Sequence, residues 1–309
     1  MTTILRPLST SELLDRTFHL YKSNFLVFLG IAAIPQVGVF ALRLADALWA
    51  RQIIVTRGVR IAVLYLAGFV AIEICHAATV NAVSDLHLGR GSNIWSAYAS
   101  AKNSLLRVIG ITLVAFALPF VLGVLVGVVA VVITVGLMVG LGLRDGTGTG
   151  PWIGLIAVFL ILVAGPLFSI NWWIRWSLVV PVTVLEGGGL RTSMRRSSRL
   201  TEGRRWRLVV IYLLVFGLTW IVVILLQTPF YSMVRWRSFL QPASISKVAV
   251  VVAAISNFVS QSLVSPLLTI ACTLIYYDER VRREGFDLQL MMSPFEKVPP
   301  PAADVPLIS

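Results

Sequence analysis

The sequence predicts an all-α fold, a polytopic membrane helix bundle of about six transmembrane helices with interfacial amphipathic helices. Three observations predict it. Of 309 residues, 57% are hydrophobic and only 13% charged, with a mean hydropathy of +0.87, more apolar surface than a soluble interior can bury. The apolar residues fall in runs of about 20, the length a helix needs to cross about 30 Å of hydrocarbon. Lysine and arginine alternate between dense and sparse from one connecting segment to the next. A formal net charge of +12 would suggest nucleic acid in a soluble chain, but here the basic residues flank apolar runs, and topology accounts for them. Nucleic acid is therefore not an expected partner.

The elements follow in order. Ser9 and Glu12 have the spacing of a capping box that opens an amphipathic helix, with Leu13, Leu14, Phe18 and Tyr21 on one side. Spans are expected near residues 25–45, 61–84, 108–134, 152–180, 208–228 and 248–276. The third is ambiguous: residues 108–143 carry no charge, about 54 Å as one helix. They form either one span kinked at Pro119 or a span plus a re-entrant segment. The glycine-rich stretch GLGLRDGTGTGP must then be a loop. Pro35, Pro166, Pro181 and Pro266 mark further possible helix breaks. Cys75 and Cys272 lie inside apolar runs and read as packing residues. No short hydrophobic core with a cleavage site precedes the first run, so no removable signal peptide is expected.

Orientation comes from counting. Of 26 basic residues, Arg43, Arg51, Arg57, Arg60, Arg144, Arg235, Arg237 and Lys247 fall on one side, Arg175 lies inside a span, and the other 17 share the opposite side. The positive-inside rule then makes both termini cytoplasmic. At the last span's end, Tyr276 and Tyr277 read as interfacial anchors with Arg280, Arg282 and Arg283 toward the anionic leaflet. Residues 1–290 make one membrane domain, and the proline-rich residues 291–309 a disordered cytoplasmic tail. An internal repeat shows in three acids, each soon followed by glycine: Asp85, Glu186 and Asp278. Each odd span is preceded by a polar, partly amphipathic stretch, the pattern of three surface-helix-plus-hairpin units.

Three blocks carry a family resemblance: LRPLSTSELLDRTFHLYKSNF near the start, RWSLVVPVTVLEGGGLRTSMRRSSRLTEGRRWRLV in the middle and YYDERVRREGFDLQL near the end. Together they resemble the bacterial glycerophosphoryl diester phosphodiesterase membrane domain family, over residues 4 to 290. The resemblance implies a multi-pass protein of the bacterial inner (plasma) membrane. Some members fuse this module to a hydrolase barrel. That hydrolase's His-Arg pair and Glu-x-Asn or Glu-x-Asp metal motif have no counterpart here, so no phosphodiesterase activity is expected.

Two groups of residues are candidates for function. Arg191, Arg195, Arg196, Arg199, Arg204, Arg205 and Arg207 cluster in one segment, where guanidinium forks can hold phosphate groups or simply signal topology. Glu73 and Arg175 each lie 11 or 12 residues before an interface acid, at a common depth of about 17 Å, and are expected to pair. His76 and Asn171 stand one turn from them and complete an intramembrane polar network, either a structural lock or a substrate or proton site. Gly123 with Gly127 and Gly136 with Gly140 have GxxxG spacing, for packing in the bundle or in a homo-oligomer; Asn257 and Gln261 share a helix face. His19 and His87 read as isolated interfacial histidines. No catalytic residue, metal ligand or cofactor is assigned. The expected function is a noncatalytic membrane module that engages anionic lipid headgroups or a membrane protein partner of the envelope through the arginine cluster. The alternative is a small-molecule or lipid transporter built on Glu73, His76 and Arg175.

Overall fold

A computed structural model describes residues 8–49, 56–140, 171–240 and 247–285. Among these residues there are nine helices and no strand. They are α1 (Thr10–Ser23), α2 (Phe25–Trp49), α3 (Arg57–His87), α4 (Ile94–Ala101), α5 (Leu105–Gly140), α6 (Val179–Glu186), α7 (Leu190–Thr201), α8 (Arg205–Leu240) and α9 (Lys247–Glu284). Five of them, α2, α3, α5, α8 and α9, are long and apolar enough to cross a membrane. The protein is a multi-pass membrane protein.

Residues 152–170 of the expected fourth span lie outside the described residues, as do the tail at 291–309 and the end of the third apolar run. Through Gly140 that run is a single helix containing Pro119. Of the fourth span, residues 171–180 are described, and the helix breaks at Ser177 and Leu178 before resuming as α6. Pro181 is the cause. It has no N–H to offer the Ser177 carbonyl one turn earlier, and that carbonyl instead accepts the Cys272 thiol at 3.2 Å.

The order short helix, long helix, return arm recurs. Each of the short helices α1, α4 and α7 precedes a long helix, α2, α5 or α8, and a return arm, α3, α6 or α9, follows. Local chemistry starts them: Ser9 accepts from the Glu12 amide at 3.2 Å while Glu12 accepts from the Ser9 amide at 2.8 Å, the expected capping box, and Asn93 caps α4. Each return arm ends at a glycine of positive φ, Gly89 (75°), Gly187 (67°) and Gly285 (58°), a conformation that an L side chain resists. Gly187 follows Gly89 by 98 residues, and Gly285 follows Gly187 by 98. These glycines keep a stricter period than the acids Asp85, Glu186 and Asp278.

The core lies toward the end of the bundle that carries α1, α4 and α7. There Leu13, Phe28, Ile31, Leu178, Leu208 and Leu274 pack together, all under 2% exposed. α9 is the central helix, packed against α1, α2, α3 and α8. The far halves of the spans expose large apolar side chains, Tyr65, Leu66, Val132 and Leu225 among them, which suits a hydrocarbon solvent. The tyrosine anchors expected at the end of the last span are a correction: Tyr276 and Tyr277 are 0% and 5% exposed. Because α9 is central, their rings face protein, and their hydroxyls bond Glu186 and Ser84, both at 2.8 Å. His87, also expected at an interface, is buried with its ring 4.9 Å from that of Tyr277. A Cβ placed on Gly127 or Gly136 would meet no atom within 4 Å, so at these two GxxxG glycines no close helix approach is made among the described residues.

Candidate functional site

The buried carboxylates of α9 organise the arginine-rich end. Asp278 and Glu279 are almost fully buried, a position that is costly unless cations reach them. Arg207 of α8 does so, with Nη1 2.8 Å from Asp278 Oδ2 and 3.4 Å from Glu279 Oε1. Arg282 adds a bond to Asp278 at 2.9 Å, and Arg204 and Arg283 stand 3.7 and 3.9 Å from Glu279 Oε2. The start of the described chain is tied in as well. Leu8 donates its amide to Asp278 at 2.7 Å, and its carbonyl accepts from Arg207 at 2.6 Å and from Arg282. Arg196 of α7 bridges Glu186 and Glu284, and the Glu284 carboxylate holds its guanidinium above the usual arginine range. All three of the sequence blocks therefore meet at one place.

Within the arginine cluster the roles divide. Arg196, Arg204 and Arg207 neutralise buried or half-buried acids, and Arg205 donates to Asn171 at 3.2 Å. Arg191, Arg195 and Arg199 are exposed and have no hydrogen bond or ion pair among the described residues. They stand at i, i+4 and i+8 of α7, one stripe along its outer face. Ser193, Ser197, Leu200 and Thr201 form the opposite, buried face. Small polar side chains seat α7 close to the bundle: Ser197 donates to the Arg175 carbonyl at 3.0 Å, and Ser198 accepts from Arg175 Nε at 2.6 Å. Leu190 and Trp206 flank the stripe, 39% and 78% exposed.

The last of these bonds corrects the expected intramembrane pair. Arg175 turns toward α7 and the ring of Trp172, 5.9 Å from its centroid, and Glu73 does not meet it. Counting 1.5 Å per residue back from Glu186 assumed an unbroken helix, and the break before Pro181 voids that count. The four-residue network is thus divided: Asn171 serves Arg205, Arg175 serves α7, and only Glu73 and His76 remain together, with Nδ1 3.8 Å from Oε1.

Glu73 is 3% exposed and accepts one hydrogen bond, from Thr112 Oγ1 at 3.0 Å. It lines a cavity of about 110 Å³ between α3, α5, α6, α8 and α9. The other walls include Trp173, Trp176, Tyr212, Thr269 and Cys272. None of these was singled out in the sequence as a site residue except as packing, although the aromatic spacing around Arg175, Trp172 to Trp176, was a usable signal. A second cavity of about 290 Å³ joins Asn257 and Gln261, the expected polar face, to Gln36 and Arg43. Among the described residues no cluster of three or more His, Cys, Asp or Glu could hold a metal ion.

Residues 149–287 match the family described as the membrane domain of glycerophosphoryl diester phosphodiesterase. Over these residues the chain is similar to this family. The match covers the middle block and the last one as far as Asp287, hence α6 through α9 and the whole arginine cluster. The stretch similar to the family thus includes both the partnered arginines and the exposed stripe. No curated protein and no solved structure matches the chain.

Proposed function

We propose that this protein is a noncatalytic module of the inner membrane that engages anionic lipid headgroups through Arg191, Arg195 and Arg199, with both termini and α7 on the cytoplasmic side. One observation carries the reading: these three guanidinium groups line one exposed face of a surface helix and have no protein partner among the described residues, whereas the other four in the cluster do. Each basic residue near an anionic leaflet contributes about 1 kcal/mol of attraction, so the stripe contributes about 3 kcal/mol. α7 itself contains no acid to offset it. Exposed Trp206 suits the headgroup level beside it. The transporter reading builds on Glu73, His76 and Arg175 together; Arg175 is bonded to α7 instead, while Glu73 and His76 line a cavity.

Native mass spectrometry of mildly extracted protein tests the proposal. The triple variant Arg191→Gln/Arg195→Gln/Arg199→Gln is expected to retain at least tenfold less phosphatidylglycerol or cardiolipin, since 3 kcal/mol corresponds to about two decades of affinity. Unchanged retention of both lipids would overturn the reading. A membrane protein lost with the same substitution would point to the envelope partner instead.

A further inference from the structure

The cavity at Glu73 combines three features that the arginine stripe does not involve. Its carboxylate is nearly fully buried, with one hydrogen bond, to Thr112. His76 Nδ1 stands 3.8 Å away, beyond hydrogen-bond reach, and no lysine or arginine pairs with Glu73 among the described residues. A buried carboxylate in oil needs a countercharge wherever it stays ionised. Around it stand three aromatic rings, Trp173, Trp176 and Tyr212, with Trp173 and Tyr212 packed edge to face, centroids 5.2 Å apart. Aromatic rings attract cations electrostatically, and tryptophan does so best.

Size and chemistry narrow the occupant. A cavity of about 110 Å³ approaches the roughly 150 Å³ that accommodates a benzene-sized guest, which suits a small ammonium nitrogen with its methyl or methylene substituents. A calcium or magnesium ion would need about six oxygen ligands, and this wall supplies one carboxylate and a few hydroxyls. A cationic guest satisfies an ionised Glu73, which an apolar guest does not. Trp176, Val180 and Leu268 on the lining are only half-buried, which gives a path from the bundle surface. We propose that this cavity binds a small organic ammonium group, held by the Glu73 carboxylate within the rings of Trp173, Trp176 and Tyr212.

Two sources share that chemistry, the headgroup of an amine-bearing lipid and a free ammonium solute. The full chain in phosphatidylglycerol nanodiscs is titrated with choline and, separately, with its neutral isostere 3,3-dimethylbutan-1-ol, reading tryptophan emission and the thermal midpoint. In parallel, native mass spectrometry compares retention of phosphatidylethanolamine with that of its N-acetylated form. Preference for choline over the isostere identifies a free ammonium, and preference for phosphatidylethanolamine over the acetylated lipid identifies a headgroup; either supports the site. Glu73→Gln is expected to weaken the preferred cation by about tenfold or more, the loss of a desolvated charge contact. No preference for the charged form in either arm, or unchanged binding by Glu73→Gln, overturns the proposal. The paired comparisons on the unaltered protein decide the matter even where the variant does not fold.

Discussion

Arg207 and Arg191 stand in one basic segment and face opposite solvents. The Arg207 guanidinium reaches two acids that are almost fully buried, and it also takes the Leu8 carbonyl. Removing it leaves those carboxylates short of a cation in a low-dielectric setting, which costs about 3–5 kcal/mol. Arg207→Ala is therefore expected to lower the thermal midpoint in detergent sharply, and adding Asp278→Asn to the same chain should recover part of the loss. Arg191→Ala removes a side chain with no protein partner among the described residues. Its effect on unfolding should stay within about 0.5 kcal/mol. If the two single variants unfold alike, the division of the cluster into structural and free arginines is wrong.

At the scale of the element, α1 shows how a short surface helix is held. Its N-terminus depends on the reciprocal Ser9 and Glu12 bonds, and its body docks through Leu13 and through Tyr21, whose hydroxyl donates to the Leu263 carbonyl of α9 at 2.7 Å. Burial pushes that hydroxyl's pKa up to about 12, so it keeps its proton and its bond at any physiological pH. Ser9→Ala removes one cap acceptor and should cost about 1 kcal/mol. Hydrogen exchange should then rise over the first turn of α1 and stay unchanged in α2. The capping box was legible in the sequence because it is a contact across three residues. The break before α6 was legible only as a proline. Whether Pro181 would bend, end or restart a helix depends on who takes the freed Ser177 carbonyl, and the answer, Cys272, lies 95 residues away.

At the scale of the whole molecule, five of the expected spans were legible because a hydrocarbon solvent writes each of them as one uninterrupted run. The convergence of the three blocks was not, because Leu8 and Asp278 are separated by 270 residues and nothing local distinguishes a buried Tyr276 from an interfacial one. That convergence has a consequence for salt. The carboxylates that hold the fold are buried against half-buried arginines of α8 and α9 and the Leu8 backbone, where screening by mobile ions is much weaker. The charges of the α7 stripe face solvent and lipid, where the screening length falls from about 10 Å at 0.1 M to about 3 Å at 1 M. Raising salt over that range should release anionic lipid from the protein while the thermal midpoint stays nearly constant. Both quantities can be read on one preparation, by lipid co-purification and by a thermal scan. A midpoint that falls together with lipid retention would mean that bound lipid, rather than the buried ion pairs, holds the arginine-rich end together.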